Sequence, residues 1–446
     1  MNVLVIIIDT LRWDHLGFNK QKPIHTPNID RFAQRATVFD NAFIGSFPTI
    51  PHRTDCFTGN VNFPRYDWKP LGEEEITLPQ VLGEAGYHTG FIADTKHMFV
   101  ANFPRVFNES RLTWNPPADN PKLEDMPFLL PPEHVRQDGA EYRTHMAAMA
   151  HFKKESDWFV AQSMMGAADW LQDNAKRDKW FLWVDTFEVH EWWHTPQYYV
   201  DMYDPNYDDK YDYDFPNYGY TDIYEKKHVK RLWAHYAAEV TLTDRWVGHL
   251  LDQLDVMRLW DNTMVVLTSD HGMYLGEHRR MGKHTVDGSD PWPLYNEVSH
   301  IPLLVWMPMK GLKKRVAALA QPTDLMATIL DAAQVKEPRI HGQSWLPLMT
   351  GEKRRNWEAV YSSKFNGDGA KISYCPTWLT ATTERWTYVA QEPGHRPELY
   401  DLRADPGQKR NLARKRPEVC ASLQQGIVRF LREQNATEGY VARYGQ

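Results

Sequence analysis

Cysteine is scarce in this chain, no sign of charge dominates, and no apolar run is long. Three cysteines, Cys56, Cys375 and Cys420, are an odd number, widely spaced and without metal-type pairing. That excludes a disulfide framework and suits a reducing compartment, so a cytoplasmic setting is expected. Lys and Arg total 51 against 58 Asp and Glu, a formal charge of -7, which gives no electrostatic reason to expect nucleic acid as a general partner. The early apolar run Val3 to Ile8 has no basic region before it and meets Asp9 at once, so it does not read as a signal peptide. No stretch reaches the roughly 18 to 20 apolar residues of a membrane span, and no membrane association is expected. Hydrophobic residues at 42% and charged residues at 24% exclude bulk disorder, and 446 residues are enough for a large core with a second, smaller domain.

What the sequence does contain is a repeated strand pattern. Val3 to Ile8 is β-branched and apolar at every position, the signature of a central strand covered on both faces. Asp9 follows it. Trp180 to Val184 ends at Asp185 in the same way, and Thr263 to Thr268 leads to Asp270 and His271. In open α/β sheets the strand carboxyl ends face the ligand crevice, so three strands that each deliver an acidic residue there describe one composite site. Between strands, Trp233, Tyr236, Ala237, Val240, Val247, Leu250, Leu251 and Leu254 recur mostly at helical spacing. Thr323 to Ala333 reads as another helix.

Residues 1–354 therefore read as a catalytic α/β domain, a large, mostly parallel sheet sandwiched by helices. After residue 355 short extended pieces, Trp386 to Gln391 and Glu398 to Leu402, precede a helix over Pro417 to Asn435, which predicts a small antiparallel α+β subdomain over 355–446. Two stretches resist a core reading. Residues 196–225 carry nine tyrosines among many aspartates, and residues 101–150 are rich in Pro, Met and His. Both read as irregular surface excursions that either roof a site or have no role, and their aromatics are candidates for contacts in a homo-oligomer.

Asp9, Asp270 and His271 are hard or borderline donors at strand ends, a set that binds a divalent cation when brought together. Singly, each reads as well as a cap or turn residue. The segment Ser46 to Gly59, SFPTIPHRTDCFTG, adds Thr49-x-Pro51-x-Arg53 followed by Thr58-Gly59. With IIIDTLRWDHLG around Asp9, SDHGMYLGEHRRMGKHT from Ser269 to Thr285 and ELYDLRADPGQKRNLA near the end, this pattern resembles the sulfatase family of the alkaline phosphatase superfamily. The resemblance covers nearly the whole chain in order.

The resemblance implies that Asp9, Asp270 and His271 bind one metal ion, with Thr49 completing its shell. Thr10 stands where many members have a second carboxylate, which leaves manganese, zinc and calcium open and argues against a many-oxygen calcium cage. It also implies that Arg53 holds the nucleophile and that Lys283 and His284 meet the substrate oxyanion and leaving group. Lys96 and His97, in DTKHMF, resemble a further contact pair that lacks its usual spacer. His190, in DTFEVHEWW, resembles a substrate-side histidine, although a histidine packed beside Trp192 and Trp193 is an equally good reading. Asp14 and His15 read as loop and helix-start residues.

Thr49 is the departure from the pattern. Sulfatases of this family convert Cys or Ser at this place to formylglycine. The threonine β-carbon already bears a methyl, so its oxidation gives a ketone, and no formylglycine is expected. A threonine oxygen activated by a cation can still attack phosphorus, and related branches such as the nucleotide pyrophosphatase/phosphodiesterases use threonine so. The leading expectation is a hydrolase with a single metal centre that cleaves a small anionic phosphodiester or phosphonate monoester, similar to phosphonate monoester hydrolases. Two alternatives are a sulfate ester hydrolase without formylglycine and a catalytically silent oxyanion-binding protein.

Overall fold

The first apolar run forms strand β1 (Asn2–Ile8), and every one of its residues is buried. Its side chains alternate between two cores: Leu4, Ile6 and Ile8 join one apolar cluster, and Val3, Val5 and Ile7 join the other. That alternation is why the run needs no polar face. The computed structural model describes residues 1–65, 67–114, 121–126, 130–131, 134–135, 139–285, 290–364 and 377–445. Cys375 lies outside them.

The remaining strands are β2 (Thr37–Ala42), β3 (His88–Ala93), β4 (Glu109–Leu112), β5 (Trp180–Thr186), β6 (Gly219–Tyr220), β7 (Thr263–Ser269), β8 (Tyr274–Leu275), β9 (Arg280–Gly282), β10 (Leu303–Trp306), β11 (Arg315–Ala320), β12 (Val360–Ser362), β13 (Thr380–Thr382), β14 (Trp386–Val389) and β15 (Glu398–Asp401). Eight of them form the main sheet in the order β11-β2-β10-β7-β1-β5-β3-β4. Only β10 runs antiparallel to its neighbours. The mixed, mostly parallel α/β sheet expected from the sequence is thus the architecture. β5 extends two residues past its apolar run, so Asp185 lies within the strand.

Helices α1 (Pro27–Arg35), α2 (Thr49–Thr58), α3 (Leu78–Glu84), α4 (Lys96–Val100), α5 (Ala140–Met149), α6 (Phe159–Asn174), α7 (Gln197–Val200) and α8 (Lys226–Val256) precede β7. α1, α6 and α8 cover the face of Leu4 and Ile6; α2 and α3 lie on the other. β12, β13, β14 and β15 make a separate antiparallel sheet. The helix Pro417–Glu433 packs Ile427, Phe430 and Leu431 in one cluster with Ala381, Tyr388 and Leu399 of that sheet.

The two supposed excursions are corrected by the packing. Tyr199, Tyr213, Phe215 and Tyr218 are buried in the same cluster as α8. Their burial is possible because the neighbouring acids are satisfied: Asp212 accepts from Arg231 and His235, and Asp204 pairs with Lys230. Within 101–150, β4 extends the main sheet and Tyr142 and Met149 of α5 enter the core.

Asp244 of α8 ties two helices together. Its Oδ1 accepts from the Ile29 backbone N–H at 2.7 Å, and its Oδ2 accepts from the Asn28 backbone N–H at 3.1 Å and the Asn28 side-chain amide at 2.9 Å. It supplies the cap that Thr26 does not give α1. Asp244→Ala is expected to cost about 2 kcal/mol in chemical denaturation while leaving the far-ultraviolet spectrum and any catalytic activity intact.

Candidate active site

Register brings the acids together. Ile8 pairs with Ser269 and with Thr186, so Asp9 and Asp270 leave adjacent strand ends side by side, with Asp185 close by in β5. The chain turns at once: Thr10 has φ 61°, a left-handed conformation. Its backbone N–H donates to Asp270 Oδ1 at 2.9 Å and its hydroxyl donates to Asp9 Oδ1 at 2.7 Å. Where the sequence pattern puts a carboxylate, this chain has a donor that orients the two acids.

Arg53 is fully buried and spans all three acids. Its Nε and Nη2 grip Asp185 in a bidentate pair at 2.9 and 2.7 Å; Nη1 donates to Asp270 Oδ2 at 2.5 Å and Nη2 to Asp9 Oδ2 at 3.2 Å. Nη1 also donates to the Thr49 carbonyl at 3.2 Å. α2 delivers both Thr49 and Arg53 because they stand one turn apart. Its contact to residue 49 is thus to the backbone carbonyl and not to the hydroxyl. Asp185 is the residue that sequence reasoning noticed at a strand end but did not promote.

Three buried acids against one guanidinium leave an excess of negative charge that a divalent cation would balance. Ligand atoms of Asp9, Asp270 and His271 lie within 4.8 Å of one another, all buried. Two carboxylates and an imidazole suit manganese or zinc. Burial and the nearby Asp270 charge hold the Asp9 carboxyl well above its usual range, whereas Asp270 stays well below, drawn down against burial by His271 and Arg53. Burial pushes His271 down to about 3, so its ring is neutral, as a ligand must be. Its Nδ1 lies 3.0 Å from the Gly272 carbonyl. That contact assigns the proton to Nδ1 and leaves Nε2 facing the acids and Thr49.

Thr49 opens α2, but it is not the cap, since that position is Pro48. Its Oγ1 lies 3.4 Å from His271 Nε2. Thr49 also lines a cavity of about 740 Å³ together with Lys96, His97, His190, Lys283 and His284. All the expected substrate-side residues therefore meet in one place. Lys283 is only 5% exposed and makes no hydrogen bond or ion pair among the described residues. His190 and His284 repeat the His271 arrangement, with Nδ1 2.7 Å from the Glu191 carbonyl and 2.6 Å from the Thr285 carbonyl. Lys96 and His97 are exposed at the rim, Lys96 with its ammonium over the Trp114 ring at 4.9 Å.

Sequence reasoning missed several lining residues: Glu188, Lys364 and the aromatic set Trp114, His145, Phe159 and Trp192. Lys364 arrives from the chain just after β12 and lies 3.6 Å from Asp67. Glu188 could have been found in the strand-end motif DTFEVHEWW, where it precedes His190.

Residues 1–335 match the sulfatase family, and residues 288–435 match the C-terminal region of N-sulphoglucosamine sulphohydrolase. The chain belongs to the sulfatase family and is a hydrolase. Arylsulfatase K of Gallus gallus is 24% identical over 98% of this chain and 84% of its own length. An ulvan-active sulfatase of Formosa agariphila is 24% identical over 99% and 84%. Among solved structures, the phosphonate monoester hydrolase of Agrobacterium radiobacter aligns with TM-score 0.73 and 20% identity, covering 97% of this chain and 95% of that one. A second structure, solved with its substrate D-glucosamine-2-N,6-O-disulfate, aligns with TM-score 0.74 and 17% identity, covering 98% and 99%.

Two outcomes follow from the buried acids. Asp185→Asn keeps the shape but removes the charge that Arg53 grips twice; a loss of about 3 kcal/mol in denaturant stability is expected, with weaker cation uptake measured by calorimetry. Burial and the charge of Asp94 push Glu188 up from 4.5 to about 8. The unfolded chain therefore releases this proton at lower pH than the folded one, and stability falls as pH rises from 4.5 to about 8. Glu188→Gln is expected to flatten that fall, so its advantage over the parent grows across the window when denaturation is repeated at each pH.

Proposed function

We propose that the chain is a sulfate ester hydrolase that works with an unmodified threonine. The observation that carries this is the placing of Thr49 Oγ1, which lines the cavity, 3.4 Å from His271 Nε2, within a frame of family motifs whose usual nucleophile is lacking. The relatives named as sulfatases, which align along nearly the full chain, support sulfur ahead of the phosphorus esters that the threonine alone suggests.

In this reading Thr49 Oγ1 forms a bond to sulfur while the bond from sulfur to the leaving oxygen breaks. The Thr49 proton passes to the imidazole of His190, which burial keeps neutral, or to that of His284, and the Lys283 ammonium donates to the leaving oxygen. Water then attacks the same sulfur, releasing sulfate and restoring Thr49. Asp9, Asp270 and His271 would hold a divalent cation, with manganese or zinc suited to the donors; when bound it would polarise the ester and acidify the threonine hydroxyl. Arg53 holds the Thr49 carbonyl and fixes the start of α2. The free, buried state of Cys56 and Cys420 supports a reducing, cytoplasmic setting.

A phosphodiester or phosphonate monoester stands as the second reading, because a threonine oxygen attacks phosphorus with the same balance of bonds. The test assays cation-loaded protein on phenyl sulfate, a diaryl phosphate and a phenyl phosphonate ester. Sulfate turnover is expected to be fastest, with Thr49→Ala losing about a thousand-fold or more in kcat at an unchanged unfolding midpoint. Mass spectrometry of the peptide containing residue 49 is expected to show intact threonine. Turnover of the phosphorus esters alone would overturn the sulfate reading, and full activity in Thr49→Ala would remove the nucleophile.

A further inference from the structure

The cavity is much larger than a tetrahedral oxyanion, and its lining is of two kinds. Thr49, Lys283, His190 and His284 are polar. Four further lining residues form a continuous wall of rings: Trp114 meets Phe159 edge-on at 5.9 Å, Phe159 meets His145 at 6.0 Å, and His145 stacks on Trp192 at 4.4 Å with 28° between planes. Flat apolar faces of this kind bind the face of another ring.

His145 is the anomaly in that wall. It stands on α5, is 8% exposed, and its buried Nε2 has no hydrogen-bond partner among the described residues. Buried polar groups are normally satisfied. Burial and the neighbouring His194 hold this imidazole well below its usual range, so it is neutral and offers one donor and one acceptor. His194 is the neighbouring titratable group, and Lys96, Glu188 and Glu191 share the cavity lining with His145; none of them hydrogen-bonds to it.

We propose that this wall is the leaving-group subsite, and that it takes a ring alcohol carrying a further hydroxyl, the ring stacked on the aromatic faces and the hydroxyl bonded to His145. The inference rests on the ester-hydrolase reading for the words "leaving group" but not for the binding itself. An aryl ring and a sugar ring share this chemistry, apolar face and hydroxyl edge, and the experiment separates them. His145 acts as a specificity residue and takes no part in bond breaking.

The test is calorimetric binding of free alcohols, which needs no turnover, to the full-length protein and to His145→Phe, which keeps the stack and loses the hydrogen bond. Catechol is expected to bind the parent about ten-fold more tightly than phenol, and His145→Phe to erase that difference while holding phenol within about two-fold. Methyl glucoside run in parallel assigns a sugar ring if it, in place of catechol, shows the His145-dependent binding. His145→Gln, which keeps a hydrogen-bonding group and loses the stack, is expected to weaken phenol and retain a preference for the hydroxylated ring. Phenol and catechol binding equally to the parent with no glucoside binding, or a preference unchanged in His145→Phe, would overturn the proposal. Selective alcohol binding without any ester turnover would leave the subsite standing and remove only the hydrolase reading of this chain's substrate.

Discussion

The site depends on one buried guanidinium. Arg53 is enclosed with Asp9, Asp185 and Asp270 at zero exposure, a place where an unpaired charge would cost several kcal/mol. None of these four side chains is tolerable alone. Together they fix the distances between three strands and the start of α2, and their uncancelled negative charge is what makes a cation welcome. In the bare protein burial and the nearby Asp270 charge raise the Asp9 carboxyl, a shift in the direction that lessens the same excess. Metal affinity, the position of Thr49 and local stability therefore share one electrostatic origin.

That cluster also explains which parts of the sequence could be read. An apolar run that stops at a charge is unambiguous: Val3 to Ile8 needs two covered faces, and Asp9 can only stand at the end of such a strand. The same logic found β5 and β7, and helical spacing found α8. Asp185 was seen but not promoted, because its importance lies in a partner far away in sequence. Arg53 reaches it across 132 positions, and no local pattern encodes that contact.

The tyrosine and aspartate stretch failed for a related reason. Composition counts Asp212 as polar and hence exposed, but composition cannot see that Arg231 and His235 meet it. Once paired, an acid can be covered, and the tyrosines beside it become core. Residues around α5 were misread likewise: Met, His and Ala at mixed spacing hide a helix whose buried side joins the core and whose His145 enters the cavity wall. The imidazole pattern was invisible for another reason. His190, His271 and His284 each set Nδ1 against a backbone carbonyl one residue ahead, a geometry that depends on backbone direction and not on residue type.

Helix polarity alone does not make Thr49 reactive. A helix start offers free backbone donors to an anion, yet here Pro51 has none to offer and the His52 N–H is already bonded to the Pro48 carbonyl. The first turn of α2 thus retains fewer donors than an ordinary helix start. In the proposed reaction the positive potential that an oxyanion needs must come from side chains, and Lys283 is the candidate: buried, without an ion-pair partner among the described residues, and near enough to Asp9 and His271 for its charge to lower both. The ammonium and the candidate cation ligands would therefore act as one device in the proposed reaction, in which the acids lower the cost of burying Lys283 and Lys283 in turn keeps the acids from repelling an anionic ester.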